Sequence, residues 1–215
     1  MESELGWVPK GWSITPVGKL FKVIGGSTPS TKEEKYWKDG IFYWATPKDL
    51  SGLTAPILLS TERKITQAGL SQISSGLLPP GTVLMSSRAP IGYLAISAIP
   101  LAINQGIIAI ICNELISNYY MLNWCYWNME NIKQHASGTT FEEINKVVFR
   151  SIPIIIPHQS LVRYYTNIVK PFYQKIQQNL EQSYTLTTIR DTLLPRLISG
   201  KLRVKDAEKL GGKEV

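Results

Sequence analysis

The chain has 215 residues, a formal net charge of +7, a hydrophobic fraction of 44% and six tryptophans. This composition is sufficient for one sizeable packed domain with an appendage, and it argues against intrinsic disorder. The longest apolar runs are too short to cross a bilayer and no signal-peptide pattern is visible, so we expect a cytoplasmic protein without a membrane partner.

The basic charge is concentrated towards the C-terminus. Residues 1–145 hold 11 basic and 11 acidic side chains, whereas residues 146–215 hold 12 basic and 5 acidic ones. A general electrostatic attraction to nucleic acid would therefore come from the C-terminal third of the chain or from a partner. Residues 1–145 have no net charge, so they would need local clusters of basic side chains to bind DNA.

The first 157 residues, from about Gly11 onwards, predict a mixed α+β domain that is rich in strands. Runs of Val, Ile and Leu separated by proline and glycine turns predict strands at Val83–Arg88, Ile91–Ser97 and Gly106–Cys112. Helical periodicity predicts a helix over Ser117–His135, and Val147–Pro157 has the pattern of a last buried strand.

Two local motifs add detail to this domain. Tyr120, Trp124 and Trp127 recur at helical spacing, and we expect this aromatic stripe to belong to the core. A platform on which bases stack is the alternative. Thr140 and Glu143 have the spacing of a capping box, which predicts that a helix begins at Thr140.

The C-terminal part of the chain predicts a long helical arm. Residues 158–197 lack glycine, and their apolar residues recur at steps of three and four. Because Pro171 lacks an amide hydrogen, it predicts the first residue of a second helix, which would follow a short helix at Ser160–Lys170. The second helix would reach about Leu194, a length of ~36 Å. Ser199-Gly200 would end this helix.

The apolar stripe of the arm has no predicted partner within the chain, since no second long helix is predicted. We therefore expect the arm to pair with another copy of the chain or with another protein. The interface would contain Leu161, Tyr165, Ile168, Phe172, Ile176, Leu180, Ile189 and Leu193. The predicted organisation is a domain over residues 1–157, an arm over residues 158–204 and a tail over residues 205–215.

Most catalytic and metal-binding motifs are missing from the sequence. It has no phosphate-binding or dinucleotide-binding glycine pattern and no nucleophile elbow. His135 and His158 lack a second ligand at helical spacing, so we expect no metal site. Cys112 and Cys125 are spaced neither as a redox pair nor as a zinc site, and we expect both to be reduced and buried.

One loose catalytic match is present. Asp49 followed by Glu62-Arg63-Lys64 has the D…E-x-K spacing of metal-dependent nucleases. Two carboxylates that hold Mg²⁺ beside a lysine would suit phosphodiester hydrolysis. Glu62-Arg63-Lys64 is also an ordinary solvated charge run, and a motif without its structural context is a weak signal.

Several segments, in order along the chain, resemble the specificity subunits of type I restriction–modification systems. The segments in the domain are Gly11-Trp12, Val17-Gly18-Lys19-Leu20, Gly25-Gly26-Ser27-Thr28-Pro29-Ser30, Tyr36-Trp37, Gly40, Trp44-Ala45-Thr46, Ile91-Gly92, Asn104-Gln105-Gly106 and Gly138-Thr139-Thr140-Phe141. The end of the arm, Ile189–Leu202, is similar to the closing string LRDTLLPKLLSGEI of the family. The resemblance covers nearly the whole chain, from about Gly11 to Val204.

This resemblance implies a protein that reads DNA and has no catalytic activity or cofactor of its own. In the family, each target-recognition domain reads half of a bipartite double-stranded DNA target, and the helical arms pair in antiparallel fashion. Modification subunits, which bind S-adenosylmethionine and methylate adenine, dock along the arms, and the restriction subunit joins through the complex. Because members usually carry two domains and two arms, the chain resembles a natural half-subunit or the C-terminal half of a longer one. A homodimer would restore the missing half and would read an inverted repeat.

Bases in the major groove would be read by loop side chains, through Arg–guanine or Asn/Gln–adenine contacts. Arg88 is the strongest candidate because it has no acidic neighbour in the sequence and follows an apolar strand. The predicted DNA-binding residues are Lys32, Lys35, Lys38, Lys48, Arg63, Lys64, Ser87, Arg88, Lys133, Gln134 and His135. Lys32, Lys35 and Lys38 alternate with acidic residues, so a neutral solvated loop is an equal alternative there. A free-standing DNA-binding regulator and the Mg²⁺ nuclease are the alternative functions.

Overall fold

The computed structural model describes residues 2–3, 6–88, 90–138 and 142–201. These residues form the predicted α+β fold, in which a strand-rich region is followed by a long helix. The strands are β1 (Glu2–Ser3), β2 (Gly6–Trp7), β3 (Ser13–Pro16), β4 (Lys22–Gly25), β5 (Phe42–Ala45), β6 (Ile57–Leu58), β7 (Arg63–Ile65), β8 (Val83–Ser86), β9 (Leu94–Ser97), β10 (Leu101–Ile103), β11 (Ile107–Ile111) and β12 (Pro153–Ile156). The helices are α1 (Val17–Leu20), α2 (Pro47–Ser51), α3 (Gln67–Leu70), α4 (Asn118–Trp127), α5 (Met129–Gln134), α6 (Lys146–Ser151) and α7 (Gln159–Ile198).

Two sheets share the main hydrophobic core. The larger sheet has the strand order β4-β11-β8-β9-β6, in which only β6 and β9 pair in parallel. The smaller sheet has the order β10-β5-β7, with β10 parallel and β7 antiparallel to β5. Leu84 and Ile107 from the larger sheet and Leu101 and Ile103 from the smaller one belong to the same buried cluster. The three strands predicted between residues 83 and 112 correspond to β8, β9 and β11, which is consistent with their apolar, β-branched composition.

The smaller sheet also buries its second face. Trp44, Ile65, Ile73 and Ala102 form a separate buried cluster against which Trp37 packs. Successive side chains of a strand point to opposite faces, so the strands of this sheet contribute to both clusters. Trp44 is therefore held between the backbone of its own sheet and the residues that cover it.

The helix predicted over Ser117–His135 is interrupted at one residue. Ser117 caps α4 by accepting a hydrogen bond from the Tyr120 amide, and α5 follows after Asn128. The Asn128 side chain donates to the Trp124 carbonyl oxygen over 2.9 Å. The backbone of Asn128 leaves the helical region, with a φ of −100° and a ψ of 12°, and the helix breaks at this residue.

The prediction of a strand over Val147–Pro157 is wrong for its first half. Asn145 accepts hydrogen bonds from the amides of Val147 and Val148, at 2.9 and 3.0 Å, and so starts helix α6. This cap outweighs the β-branched residues that suggested a strand. Only β12 is extended, and it pairs with β3. The capping box predicted at Thr140 lies outside the described residues.

Helix α7 is continuous through Pro171, so the prediction of two helices is wrong. The helix has 40 residues, which corresponds to a length of ~60 Å instead of ~36 Å. A proline inside a helix removes one backbone hydrogen bond. Because Pro171 is exposed, water is available to the carbonyl group that loses its partner. The helix ends as predicted, with Gly200 at a φ of +70°.

The chain divides into two compact units, Met1–Phe172 and Tyr173–Val215. Within the first unit, the beginning of α7 is attached to α4 and its N-cap. The hydroxyls of Ser117 and Thr166 are 2.9 Å apart, and the Tyr120 and Tyr165 rings meet edge to face at 5.9 Å. The predicted tail, residues 205–215, lies outside the described residues, and the division at residues 157 and 204 stays a prediction.

Two smaller expectations concern the membrane and the cysteines. Among the described residues, no helix has both the length and the apolar character that a membrane span requires. Cys112 and Cys125 are both free, Cys125 being buried and Cys112 half-buried. Burial raises the pKa of the Cys112 thiol to about 12 and also raises that of Cys125, so both thiols are neutral at pH 7.

Candidate nucleic-acid interface

Loops from both sheets meet at one edge of the fold. The end of β4 and the end of β8 flank the start of β11, since Gly25 pairs with Ile108 and Ser86 pairs with Ile107. The parallel strands β5 and β10 end side by side, and β7 begins opposite Trp44. We call this surface the loop edge and define it as residues 26–30, 46–49, 61–63, 87–88 and 104–106.

Backbone hydrogen bonds join these loops to one another. The Ser27 amide donates to the Ile103 carbonyl over 3.1 Å, and the Asn104 amide donates to the Ala45 carbonyl over 2.9 Å. The Ser87 amide donates to the Gly106 carbonyl over 2.9 Å. The loop edge is therefore built from the main chain, and its segments keep fixed positions relative to one another.

Two glycines of the family-like segments are required by close packing at the loop edge. A Cβ atom on Gly26 would lie 2.0 Å from the Ile103 carbonyl oxygen, which is well inside van der Waals contact. A Cβ atom on Gly106 would lie 2.9 Å from the Cγ atom of Pro47. Glycine allows these backbones to approach, so part of the resemblance reflects how the loops pack.

Asp49 has a structural role at the loop edge. Its Oδ2 atom accepts hydrogen bonds from the Thr46 amide and hydroxyl, at 2.8 and 2.7 Å, and forms a capping box at the start of α2. Its Oδ1 atom accepts a hydrogen bond from the Glu62 amide at 2.7 Å. Within the described ranges, no group of three or more His, Cys, Asp or Glu side chains could hold a metal ion. This geometry gives the nuclease alternative no support.

Two of the predicted DNA-binding cations at the loop edge are paired with glutamates. Lys48 Nζ lies 2.7 Å from Glu62 Oε2. This hydrogen bond raises the pKa of Lys48 and lowers the pKa of Glu62, so both groups are held in their charged forms. Arg88 Nη1 lies 3.9 Å from Glu143 Oε2, and the backbones of these two residues form a β-bridge. Arg88 therefore has an acidic neighbour that the linear sequence does not reveal.

The predicted basic loop before β5 is also neutralised by its own acidic residues. Lys35 pairs with Glu33 at 3.4 Å, and Lys38 pairs with Glu34 at 3.0 Å. Lys32 is exposed. These ion pairs agree with the neutral solvated loop that we weighed as the alternative, and DNA binding by the three lysines stays a prediction.

Arg63 and Lys64 face aromatic rings instead of carboxylates. The Cζ atom of Arg63 lies 3.6 Å from the centre of the Trp37 ring and 5.5 Å from that of Trp44. Lys64 Nζ lies 4.5 Å from the centre of the Tyr43 ring. Because neighbouring strand residues point to opposite faces, Arg63 and Lys64 lie on opposite faces of the smaller sheet. A ligand bound on one face of this sheet can therefore contact only one of these two side chains.

The remaining predicted DNA-binding residues differ in their exposure. Lys133, Gln134 and His135 are exposed at the end of α5, where His135 Nδ1 lies 2.8 Å from the Asn131 carbonyl oxygen. Ser87 is only 2% exposed. Its carbonyl group accepts a hydrogen bond from the Ile144 amide, so Ser87 supports the loop edge from inside.

The aromatic stripe of α4 belongs only partly to the core: Tyr120 and Trp124 are half-buried, and Trp124 meets the buried Phe149 edge to face at 6.4 Å. Trp127 is 88% exposed, and the buried residues of α4 are Met121, Leu122 and Cys125. The buried face is thus displaced by one residue from the aromatic one. Within the first unit, the aromatic face lines an open groove of about 250 Å³ formed by Tyr120, Asn123, Trp124, Trp127, Asn128 and Tyr165.

The predicted interface residues of the arm are only partly covered. Leu161, Ile168, Phe172 and Ile189 are exposed, and Phe172 is 65% exposed. Tyr165, Ile176, Leu180 and Leu193 are half-buried, and Tyr165 packs on Tyr120 within the first unit. The exposed members therefore remain available to a partner.

Comparison with known proteins identifies the family. The family model of the type I restriction modification DNA specificity domain matches residues 9–185. The chain belongs to this family. It is 34% identical to the MjaIX specificity subunit of Methanocaldococcus jannaschii over 87% of this chain and 44% of that protein. It is 27% identical to the HindI specificity subunit of Haemophilus influenzae over 91% of this chain and 42% of that protein.

Solved structures of specificity subunits share the fold of this specificity domain. The HsdS subunit from Thermoanaerobacter tengcongensis gives a TM-score of 0.60 at 17% identity, over 93% of this chain and 48% of that one. The type I S subunit from M. genitalium gives a TM-score of 0.61 at 13% identity, over 87% and 46%. The specificity domain spans about half the length of the proteins that it matches.

The sequence did not reveal the acidic and aromatic partners in this specificity domain. Glu143 pairs with Arg88, and Glu62 pairs with Lys48, across long separations in the chain. Trp37 and Trp44 belong to the family-like segments, but nothing in their spacing predicts that Arg63 stacks on them. Spacing along one chain carries no signal for such contacts, because chain topology decides which loops become neighbours.

Proposed function

We propose that this specificity domain reads a double-stranded DNA sequence as a non-catalytic component of a type I restriction–modification complex. The observation that carries the proposal is the loop edge, which gathers family-like segments and three exposed or half-exposed cations, Lys48, Arg63 and Arg88, on one rigid surface. Loops held by a rigid scaffold are a common place for recognition residues.

The charge arrangement at the loop edge suits sequence reading more than general attraction to DNA. Lys48 and Arg88 each have a glutamate partner, so phosphate oxygens would have to compete with carboxylates for them. Non-specific binding depends mainly on phosphate contacts and counterion release. A surface of paired charges binds random DNA weakly, which leaves contacts to base edges to determine the site.

The arm is proposed to supply the second half-site through a dimer. Its exposed apolar side chains, such as Phe172 and Ile189, would be buried against another helix. A second copy, or a second domain of the same kind, would lie across a twofold axis, and the target would then be bipartite with an inverted repeat.

The complex would also contain a modification subunit docked along the arm, and a restriction subunit would join through that complex. We propose that S-adenosylmethionine binds to the modification subunit and that this chain binds no cofactor. The role of Asp49 as a backbone cap agrees with a non-catalytic chain, since both of its oxygens are occupied by donors.

Methylation mapping tests this function. The chain is co-expressed with a type I modification subunit, and methylated adenines are mapped across the host genome. We expect one bipartite motif to be methylated only when both proteins are present. The outcome against the proposal is methylation that is unchanged without the chain.

Two further outcomes would favour the alternatives. Mg²⁺-dependent DNA cleavage by the purified chain, abolished by Asp49→Ala, would indicate a nuclease. Tight binding of one site by the chain alone, unaffected by the modification subunit, would indicate a free-standing regulator, with a strong dependence of affinity on salt.

A further inference from the structure

Arg63 is held on a platform of two indole rings. Its Cζ atom lies 3.6 Å from the Trp37 ring centre, which is a stacking distance, and 5.5 Å from that of Trp44. The two indoles meet edge to face, with centres 5.0 Å apart and an interplanar angle of 82°. A guanidinium that lies flat on an indole gains a cation–π attraction and keeps the N–H groups at its rim free for in-plane hydrogen bonds.

The platform itself is anchored to the loop edge. Trp37 Nε1 donates to the Ser30 carbonyl over 2.9 Å, and Trp44 Nε1 donates to the Ser27 carbonyl over 3.3 Å. Trp44 is buried in the second core cluster of the smaller sheet. At the backbone of Arg63, the Thr61 hydroxyl donates to the carbonyl over 2.6 Å. The position of the guanidinium is therefore set by packing and by the fixed loops.

Arg63 differs in this respect from the other cations of the loop edge. Lys48 and Arg88 form ion pairs with glutamates. No carboxylate in the described part of the chain forms an ion pair with Arg63. Its side chain is exposed. Arg63 thus combines a fixed orientation with hydrogen-bond donors that no acidic group occupies.

We infer that Arg63 is a specificity-determining residue that reads a guanine in the DNA target, and this inference rests on the proposed function. Two guanidinium N–H groups donate to the O6 and N7 atoms of the guanine in the major groove. Only a guanidinium has the planar fork that matches these two acceptors. The indole platform holds the fork in place before binding, so little side-chain freedom is lost when the contact forms.

The fixed orientation favours a base contact over a phosphate contact. A phosphate contact requires positive charge and reach, and flexible lysines supply both. A bidentate contact to one base edge requires the correct angle, which packing on Trp37 and Trp44 provides. A good bidentate pair discriminates against the wrong base by roughly 5- to 150-fold.

Binding measurements on the complex with the modification subunit test the assignment. The wild-type target is first mapped, and duplexes with each target position replaced in turn then compete for the wild-type complex and for Arg63→Gln and Arg63→Lys complexes at fixed salt. We expect both variants to lose the roughly 5- to 150-fold preference at one guanine position and to keep their preferences elsewhere. Arg63→Lys keeps the charge and should retain the affinity of the wild type for random DNA.

Lys22→Gln is the control, because Lys22 is an exposed cation that pairs with Ile111 at the end of β4 away from the loop edge. It should leave every base preference unchanged. Trp37→Leu keeps Arg63 but removes the ring beneath it, and it should weaken the same preference by severalfold. Thermal unfolding of each variant checks that the fold is intact.

Two results would overturn the inference while the proposed function stands. A uniform loss of affinity for all sequences in Arg63→Gln would show a phosphate contact, and unchanged binding would show that Arg63 serves packing alone. Absence of any sequence preference in the wild-type complex would instead remove the proposed function and the inference together.

Discussion

Apolar side chains form a buried core in the first compact unit, whereas apolar side chains in the C-terminal segment of α7 are exposed. In the unit Met1–Phe172, Leu84, Leu101 and Ile103 are buried in the core that the two sheets share. In the segment after residue 172, Leu186 is 66% exposed and Tyr184 is exposed as well. The first unit gains its stability from contacts within the chain. A single helix with an apolar surface gains little stability from its own contacts, so we expect a partner to stabilise this segment.

The two regions also differ in net charge. Residues 1–145 carry equal numbers of basic and acidic side chains, whereas residues 146–215 carry 12 basic and 5 acidic ones. We expect the domain to supply sequence discrimination and the C-terminal region to supply association. Substitutions in the two regions test this division, and each is compared with a control substitution at another position.

The largest effect is expected for a leucine in the core. Leu101→Ala should lower the free energy of unfolding by about 2–5 kcal/mol, because it removes buried methyl groups and leaves a cavity between the sheets. Leu186→Ala in the arm is the matched change at an exposed position. Urea unfolding followed by tryptophan fluorescence gives both values.

The dependence on protein concentration separates the two leucine variants further. The loss in Leu101→Ala should be the same at every concentration, whereas any loss in Leu186→Ala should appear only at concentrations where the arm is paired. Equal losses in the two variants at all concentrations would contradict the distinction between a self-sufficient domain and a dependent arm.

The next effect concerns association through the arm. Phe172→Ser combined with Ile189→Ser should weaken self-association by at least 100-fold, since each exposed apolar side chain contributes about 1.5–3 kcal/mol when it is buried. Gln174→Ser combined with Gln178→Ser makes the same kind of change at exposed polar positions of α7. Sedimentation equilibrium measures the mass. A wild-type chain that stays monomeric, or a double variant that stays dimeric, would refute the homodimer.

A smaller effect is expected where α4 meets β12 and the start of α7. Tyr120→Phe removes the hydrogen bond from the Tyr120 hydroxyl to the Ile155 carbonyl, which has a length of 2.9 Å. We expect a loss of about 0.5–1.5 kcal/mol in the free energy of unfolding. Tyr184→Phe in the arm is the control and should leave thermal unfolding unchanged, because Tyr184 is exposed. If Tyr184→Phe lowered the stability as much as Tyr120→Phe, the stability of the first unit and that of the arm would not differ in the way that we expect.

The smallest effect is expected at the loop edge. Glu143→Gln frees Arg88 from its carboxylate and should raise the affinity for random DNA by about 1 kcal/mol, or roughly fivefold. The slope of log affinity against log salt should steepen by no more than ~0.9. Glu114→Gln, the same change beyond the opposite end of β11, should have no such effect. Equal changes in the two variants would show that only net charge matters.

Much of this protein was determined by local sequence patterns. The apolar runs of β8, β9 and β11, the stripe and glycine terminus of α7, and the ordered family-like segments predicted the α+β class, the arm and the family, all of which are confirmed. These features depend on residues that are close together in the chain. Periodicity and turn residues express them directly, because the backbone geometry of a strand or helix repeats over a few residues.

The tertiary structure alone decided the remaining features. Asn128 breaks a helix that periodicity predicted as continuous, and Pro171 fails to break α7 at an exposed position. Arg88 meets Glu143 through an isolated β-bridge, and Arg63 meets Trp37 beside the cluster on the second face of the smaller sheet. A charged side chain interacts strongly only with groups that lie within a few ångströms of it. In loops, the topology of the fold decides which groups these are, and their distance along the sequence does not.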